Sequence, residues 1–246
     1  ITYLAQRKLD KAVNSIRNAL QLQPDLAEAH CNLGLVYLEN GQLDEAIKSF
    51  IKTLKIKSDI VEPYNNLVLA LGEAGKFPES EEWCQRGTRK FPDEPSLYSA
   101  LGTVYWYQGS LEKSRQAFQK ALSISSDCVE AMIGLSLVFR DLRHYNDAEM
   151  CIDEALQIEP NNPEARLNRA FLWLLQGNFS IGWPEYEQRI YTQEAPLLLD
   201  YPMWDGNSLN GKVLLLTAEQ GLGDEIMFAS CLPDVAAKAK QCIIGC

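Results

Sequence analysis

The stretch AEAHCNLGLVYLENGQLDEAIKSF (27–50) decides the fold, because it returns 68 residues later as PSLYSALGTVYWYQGSLEKSRQAF (95–118). Half of that offset, 34 residues, places repeat starts without insertion or deletion at Ala27, Val61, Pro95, Val129 and Pro163. In the same phase residue 1 is the ninth position of a repeat, so we expect the chain to begin inside a truncated first repeat. A period of this length predicts one small helical unit stacked several times.

Each repeat carries the residue pattern of two antiparallel helices. The eleventh position is large and the twentieth is small, which allows two such helices to approach closely. Glycine stands between the helices, where a helix end needs a positive φ, at Gly41, Gly75, Gly109 and Gly177. Proline, which cannot continue a helix, follows the second helix at Pro24, Pro92 and Pro160. The pattern predicts an all-α solenoid over residues 1–189.

This pattern resembles the tetratricopeptide repeat (TPR), a family of helical hairpins that stack into a superhelix with a ligand-binding groove. The resemblance implies that the second, fifth, sixth and ninth positions of each first helix face that groove. The sixth position holds asparagine in three repeats, at Asn32, Asn66 and Asn168. It is similar to the asparagine ladder of the O-linked N-acetylglucosamine transferase superhelix, interrupted here by Ala100 and Gly134. An asparagine amide can hold a peptide backbone, so we expect these three residues to bind peptide; the alternative is that they are tolerated surface residues.

The same helices offer two aromatic residues and lack a basic set. Trp106 and Tyr107 either add a contact surface in the groove or pack within and between repeats. The second position is acidic in four repeats, at Glu28, Glu62, Glu130 and Glu164. Relatives that bind chaperones use Lys and Arg at such positions to hold a terminal carboxylate, so the sequence argues against a chaperone adaptor.

Composition excludes several other classes of function. The 246 residues include 23 Lys and Arg against 33 Asp and Glu, a formal net charge of −10, and no basic block that would favour a nucleic-acid partner. No apolar run reaches the roughly 20 residues needed to span a bilayer. Seven cysteines without a CxxC spacing and two distant histidines indicate reduced thiols and no metal site. We therefore expect a cytoplasmic protein that binds protein or peptide.

After residue 189 the chain follows a different pattern. Residues 190–211 contain prolines and turn residues and are interpreted as a linker. KVLLLTA (212–218) reads as a strand, the glycine loop in EQGLGD (219–224) opens an amphipathic helix, and QCIIGC (241–246) starts a second strand. This order predicts the first βαβ portion of a truncated Rossmann-like α/β domain over residues 212–246. The exposed edge of Val213–Thr217 in such an incomplete sheet predicts self-association.

Three segments resemble the junction between TPR repeats and a glycosyltransferase in bacterial proteins: GNFSIGWPEYEQR (177–189), PMWDGNSLNGK (202–212) and LLLTAEQGLGDEIMF (214–228). The domain that follows in those proteins is similar to heptosyltransferases, with two Rossmann-like halves in the GT-B arrangement. Gly223 and Asp224 match a Gly-Asp pair of that family, which implies that Asp224 is the catalytic base for an acceptor hydroxyl. Gly221 and Gly223 would then bind substrate by shaping the acceptor or phosphate pocket. The nucleotide-sugar donor is a substrate, and no cofactor is implied.

Two functions of different classes follow. The first is the protein-binding TPR region of a bacterial glycosyltransferase, and these residues alone are expected to be inactive because the donor site is absent. The alternative is a non-enzymatic TPR scaffold for protein–protein interaction. A third interpretation makes the tail a short cap on the solenoid, which the unbroken apolar strand fits poorly. A tight strand-to-helix turn explains the two glycines of the loop equally well.

Overall fold

The computed structural model describes residues 3–187, 207–217 and 232–245. Contacts within the chain separate two compact units, residues 1–188 and 189–246. Among the described residues, no helix combines the length and the apolar character needed to cross a membrane.

Residues 3–187 of the first unit form a leading helix and five helical hairpins. The leading helix is α1 (Tyr3–Leu22). The hairpins are α2 (Ala27–Glu39) with α3 (Leu43–Ile56), α4 (Glu62–Glu73) with α5 (Phe77–Lys90), α6 (Pro95–Tyr107) with α7 (Leu111–Ile124), α8 (Val129–Asp141) with α9 (Tyr145–Ile158), and α10 (Pro163–Leu175) with α11 (Phe179–Tyr186). Each first helix begins at a predicted repeat start or one residue after it, so the predicted all-α solenoid is confirmed.

The first of the predicted repeats departs from this pattern. The 34-residue phase places an inter-helix turn near Arg7, the position that Gly41 and Gly75 hold in later repeats. Instead, Tyr3–Leu22 form one continuous helix. No glycine stands near Arg7, whereas glycine holds this place in four of the five later repeats, so a left-handed turn there would be strained. Extending the helix adds one backbone hydrogen bond per residue and is the better solution.

Aromatic rings from second helices fill the space that glycines on first helices leave open. Phe50 of α3 lies against Gly34 of α2, where an added Cβ would come within 2.5 Å of the ring. Phe118 of α7 is wedged between Gly102 of its own repeat and Gly134 of the next, and is 1% exposed. One ring therefore contributes to the core of two repeats, as expected where stacked units share their apolar contacts.

The turns within the hairpins use a left-handed residue. Gly41, Gly75, Gly109 and Gly177 have φ values between +70° and +79°. In the third hairpin the Ser110 N–H then donates to the Tyr105 carbonyl at 2.8 Å, which satisfies a carbonyl at the helix end. Arg143 holds the same place in the fourth hairpin with φ +62°. That conformation costs a residue with a Cβ about 1–2 kcal/mol.

The last hairpin is closed by charged groups. Arg169 stands at the seventh position, which is leucine in the four preceding repeats. On α11 the Glu185 carboxylate accepts from Arg169 Nη2 at 2.6 Å and from Arg166 Nε at 3.0 Å, and its side chain is only 12% exposed. The Arg169 guanidinium also lies 4.9 Å from the Trp173 ring centroid. An ionic network thus replaces the leucine of the other repeats.

The described part of the second unit contains β1 (Val213–Thr217), α12 (Leu232–Ala236) and β2 (Gln241–Gly245). The strands pair in parallel, from Val213 opposite Gln241 to Thr217 opposite Gly245. Both predicted strands are therefore present. The structure therefore shows a two-stranded parallel sheet. That this sheet belongs to a Rossmann-like domain stays a prediction. The glycine loop with Gly221, Gly223 and Asp224 lies outside the described residues, as does most of the proposed linker.

Candidate functional site

A groove of about 630 Å³ crosses the first-helix face of four successive repeats. Its walls come from α4, α6, α8 and α10, and the Phe118 ring of α7 contributes from the adjacent layer. The lining residues on the first helices fall on the second, fifth, sixth, ninth, twelfth and thirteenth positions of the repeat. Such spacings place residues on one face of a helix. The groove therefore forms because equivalent positions of successive repeats lie on the same face of the stack.

Small residues at the sixth position form the floor of this groove. Ala100 and Gly134 line it, and both interrupt the asparagine ladder predicted from the sequence. An added Cβ at Gly134 would collide with the Phe118 ring, and Ala100 is packed in the core with Val68 and Val104. An asparagine has no room at Gly134, so core packing explains that gap in the ladder.

The walls are apolar and aromatic. Leu69, Ile133 and Leu137 line the groove together with the half-exposed ring of Tyr107. The Tyr107 and Trp106 rings pack at 5.4 Å between centroids. Trp106 Nε1–H donates to the Asp141 carboxylate at 2.7 Å, which fixes its indole at the rim. Both residues line the groove, and Trp106 also packs against the core; their contact with a ligand stays a prediction.

The charges on the groove are predominantly negative. Glu73, Glu130 and Glu164 line it, and Arg140 is the one cationic side chain among its described lining residues. Arg140 is paired with Asp141 at 3.0 Å, so its charge is already balanced. Glu130 accepts a weak hydrogen bond from the Cys128 thiol at 3.7 Å. Within residues 3–187, Glu73 and Glu164 have neither an ion-pair nor a hydrogen-bond partner.

Burial, followed by neighbouring carboxylates, shifts the pKa of several groups in the groove. Removal from water raises the pKa of Glu73, and the same effect together with the Glu130 carboxylate raises the pKa of Glu164. Burial, followed by the fields of Glu73 and Glu164, raises the pKa of Tyr107. The Tyr107 phenol therefore stands within the electrostatic reach of two carboxylates from different repeats. The groove favours a positively charged group at this place.

Asn65 adds a polar group whose orientation is set by its neighbours. Ser96 Oγ donates to Glu94 Oε1 at 2.7 Å, so its oxygen can only accept from Asn65 Nδ2, also at 2.7 Å. The amide is thereby oriented, and the buried Asn65 Oδ1 has no hydrogen-bond partner among the described residues. Asn65 lines the groove, and this oxygen can accept a hydrogen bond from a bound group.

The structure places the predicted peptide-binding residues differently. Asn168 on α10 lines the groove, whereas Asn32 on α2 and Asn66 on α4 are not among its lining residues. Asn65, Glu73 and Phe171 line it and were not selected from the sequence. The fifth and ninth positions were already expected to face a ligand and could have identified Asn65 and Phe171, whereas the thirteenth position of Glu73 was not among them. No group of three or more His, Cys, Asp or Glu able to hold a metal occurs among the described residues.

Comparisons with known proteins agree on the repeat. Residues 2–41 match the model described as TPR repeat, residues 27–59 match tetratricopeptide repeat, and residues 64–195 match the middle TPR-like domain of cilia and flagella-associated protein 70. Protein FlbA of Caulobacter vibrioides is 34% identical over 155 residues, which cover 58% of this chain and 25% of FlbA. The BBSome complex member BBS4 of Bos taurus is 26% identical over 90 residues, covering 37% of this chain and 17% of BBS4. The chain thus spans a quarter or less of the length of these two relatives.

Solved structures show the same fold at low sequence identity. The APC/C hetero-tetramer Cut9–Hcn1 superposes with a TM-score of 0.60 at 18% identity, over 77% of this chain and 38% of that one. Yeast Tom70 gives a TM-score of 0.60 at 18% identity, over 72% and 38%. These matches support the helical solenoid. They carry no information on what the groove binds.

Proposed function

The chain belongs to the tetratricopeptide repeat proteins, and from that premise we propose that it is a scaffold that binds an extended segment of a partner protein on its first-helix face. The observation that carries this proposal is the groove shared by α4, α6, α8 and α10. Neighbouring helices pack about 8–10 Å apart, so four of them span on the order of 30 Å. At about 3.3 Å per residue, this length accommodates roughly nine residues of extended peptide.

Polar groups along the groove suit a peptide backbone. Asn168 offers an amide, and the Asn65 Oδ1 atom is a free acceptor for a backbone N–H. Asn32 and Asn66 remain proposed contacts that would extend the same binding beyond the groove, toward α2. The apolar walls from Leu69, Ile133 and Leu137 would hold side chains of the partner.

The test is a selection of random peptides displayed on phage against the wild-type chain and against a blocked variant. Thr103→Trp places a large ring in the groove without changing its charge, because Thr103 lines the groove at the ninth position of its repeat. Circular dichroism first confirms that the variant is helical. We expect peptides selected on the wild type to lose binding to Thr103→Trp. Equal binding to both proteins would contradict the proposal.

The asparagines are tested in the same assay. Asn168→Ala should weaken the selected peptides several-fold, since an amide pair to a backbone is removed. Asn32→Ala with Asn66→Ala should have a smaller effect on peptides that are short enough for the groove and a larger one on a full partner. If all three replacements leave both kinds of ligand unaffected, the asparagines are surface residues only.

A second candidate, favoured by the parallel pairing of β1 and β2, is that residues 212–246 begin the α/β domain of a bacterial glycosyltransferase. Parallel strands need a crossover connection, and the backbone bond from Lys240 N–H to the Lys212 carbonyl at 2.9 Å continues the pair. In this proposal Asp224 is the base, Gly221 and Gly223 shape the acceptor or phosphate pocket, and a nucleotide sugar is the donor. The test is sugar transfer by the protein expressed from its complete gene. Asp224→Asn should abolish it, and retained turnover would refute the role of Asp224.

We also propose the cytoplasm as the compartment and self-association as a secondary property. Burial raises the pKa of Cys84 and Cys151 to about 12 and of Cys31 to about 11, and the cysteines among the described residues are free. Such thiols are unreactive and suit a reducing compartment.

Val213 and Ile243 are about half exposed on the small sheet, which is the surface proposed for self-association. Light scattering of wild type and Val213→Lys tests this proposal. If the two proteins have the same molar mass, the sheet is excluded as an interface.

A further inference from the structure

We infer that the partner of the groove presents a lysine or arginine side chain, which inserts between Glu73, Glu164 and the Tyr107 ring. This inference rests on the proposed function, because it specifies the chemistry of the segment that the groove would bind. It is independent of the proposed glycosyltransferase.

The charges that line the groove favour a cationic partner group. The described groove residues include three carboxylates, while its one guanidinium, on Arg140, is occupied by Asp141. Carboxylates of different repeats meet here, since Glu164 lies in the field of Glu130, and Tyr107 in the fields of Glu73 and Glu164. Glu73 and Glu164 lack a partner within residues 3–187. A cation from outside would relieve this repulsion, whereas an acidic partner would increase it.

The shape and polarity of the groove walls also fit a long basic side chain. A lysine or arginine buries an aliphatic stem on apolar surface and keeps its charged end near polar groups. Leu69 and Leu137 offer such a surface, and the exposed Tyr107 and Phe171 rings offer faces for a cation. A purely apolar side chain would leave the carboxylates uncompensated. The combination of apolar wall, aromatic ring and unpaired carboxylate therefore fits a long basic side chain.

The N-terminal repeats provide an internal control. Glu28 and Glu62 occupy the second position of their repeats, as Glu164 does, but neither lines the groove. Replacing both removes the same formal charge as replacing Glu73 and Glu164, also from first helices, and from the helix position that Glu164 holds. A general effect of net charge would therefore be equal for both pairs of glutamates, whereas a specific site would respond only to Glu73 and Glu164.

The experiment repeats the phage selection on three proteins: wild type, the double variant Glu73→Gln/Glu164→Gln, and the control Glu28→Gln/Glu62→Gln. We expect enrichment of Lys and Arg among peptides that require the groove. A synthetic peptide from that set should bind the groove variant roughly tenfold or more weakly and the control within about twofold, because a partly buried, charge-assisted contact is lost in the first case only. Its Lys→Gln derivative should bind all three proteins equally weakly.

Two results would overturn the inference, and they differ from failure of the proposed function. Groove-dependent peptides without enrichment of basic residues would leave peptide binding intact and exclude the basic side chain. Equal losses in the groove variant and the control would reduce the effect to net charge. If no peptide distinguishes wild type from Thr103→Trp, the groove does not bind peptides and both proposals fall.

Discussion

The third and fifth hairpins have the same 34-residue spacing but are closed by different forces. In the third, α6 and α7 meet through Phe118, which fills the space at Gly102 and Gly134 and is 1% exposed. In the fifth, α10 and α11 meet through Glu185, which is paired with Arg166 and Arg169. The repeat therefore determines where two helices meet, whereas the contact between them can be apolar or ionic.

The largest expected effect is on the apolar closure. Phe118→Ala removes a buried ring that serves two repeats, and we expect a loss of about 3–5 kcal/mol in the free energy of unfolding. Urea denaturation followed by circular dichroism measures it. Phe179→Ala is the matched control, because Phe179 is 58% exposed and should change stability little. Equal effects of the two replacements would contradict the role of Phe118.

The ionic closure should be weaker and sensitive to acid. Glu185→Gln leaves Arg166 without a charge partner and Arg169 with only the longer contact to Asp153 at 3.5 Å, and we expect a loss of about 2–3 kcal/mol, less than for a fully buried pair. Glu82→Gln, which breaks an exposed pair with Arg86, should cost less than about 1 kcal/mol. A double-mutant cycle with Arg169→Leu, the residue of the other repeats, should recover part of the loss. Simple additivity would show that Arg169 and Glu185 are not coupled.

The same pair has a defined pH dependence. Burial raises the pKa of Glu185, but the hydrogen bonds from Arg166 and Arg169 outweigh it, so the pKa is lowered overall. Because the pKa is lowered on folding, the ionised Glu185 stabilises the fold at pH values above the pKa that it has in the unfolded chain. This contribution is lost as the pH falls through the pKa of the folded chain. The difference in Tm between wild type and Glu185→Gln should therefore shrink on acidification. A difference that persists in strong acid would contradict the assignment.

The turns give a smaller effect of opposite sign. Arg143→Gly should stabilise the fourth hairpin by up to about 1 kcal/mol, because glycine adopts a positive φ without the penalty of a Cβ. Gly109→Ala, at the same place in the third hairpin, should destabilise by a similar amount. Thermal denaturation of both variants measures the pair. Two changes of equal sign would show that the backbone conformation is not the cause.

The smallest expected effect links stability to the groove. Burial and Glu130 raise the pKa of Glu164. The protonated group therefore stabilises the fold at pH values below the pKa that it has in the unfolded chain, and that contribution is lost as the pH rises through the pKa of the folded chain. Glu164→Gln should therefore raise the Tm slightly at neutral pH and not at low pH, with screening by solvent keeping the gain small. A lower Tm at neutral pH would indicate that Glu164 has a structural role.

Much of the fold follows from the sequence, because spacing determines it. The repeat starts, the glycine turns and both strands were predicted from periodicity and residue type. The continuous helix α1 was not predicted, because the 34-residue phase alone places a turn near Arg7, although the glycine of the later turns is absent there. The ionic pair of Arg169 does not follow from the sequence, since its partner Glu185 lies in another helix and no spacing rule connects them.

The groove was predictable in position and not in composition. Face-forming positions of the first helices were expected to meet a ligand, and Asn168 and Glu164 were found there. Asn32 and Asn66 were chosen by residue type, and the sequence could not show where along the stack the groove opens. The unpaired state of Glu73 and the orientation of Asn65 depend on contacts between repeats, which become visible only in three dimensions.

The most direct test of the account is a methyl NMR titration of the labelled chain with the tightest peptide from the selection. Ile133 and Leu137 report on the groove, and Met150, which is 61% exposed on α9, reports on a second helix outside it. We predict saturable shifts at Ile133 and Leu137 and none at Met150. Shifts at Met150 without shifts at Ile133 and Leu137 would contradict the claim that the first-helix groove is the binding site.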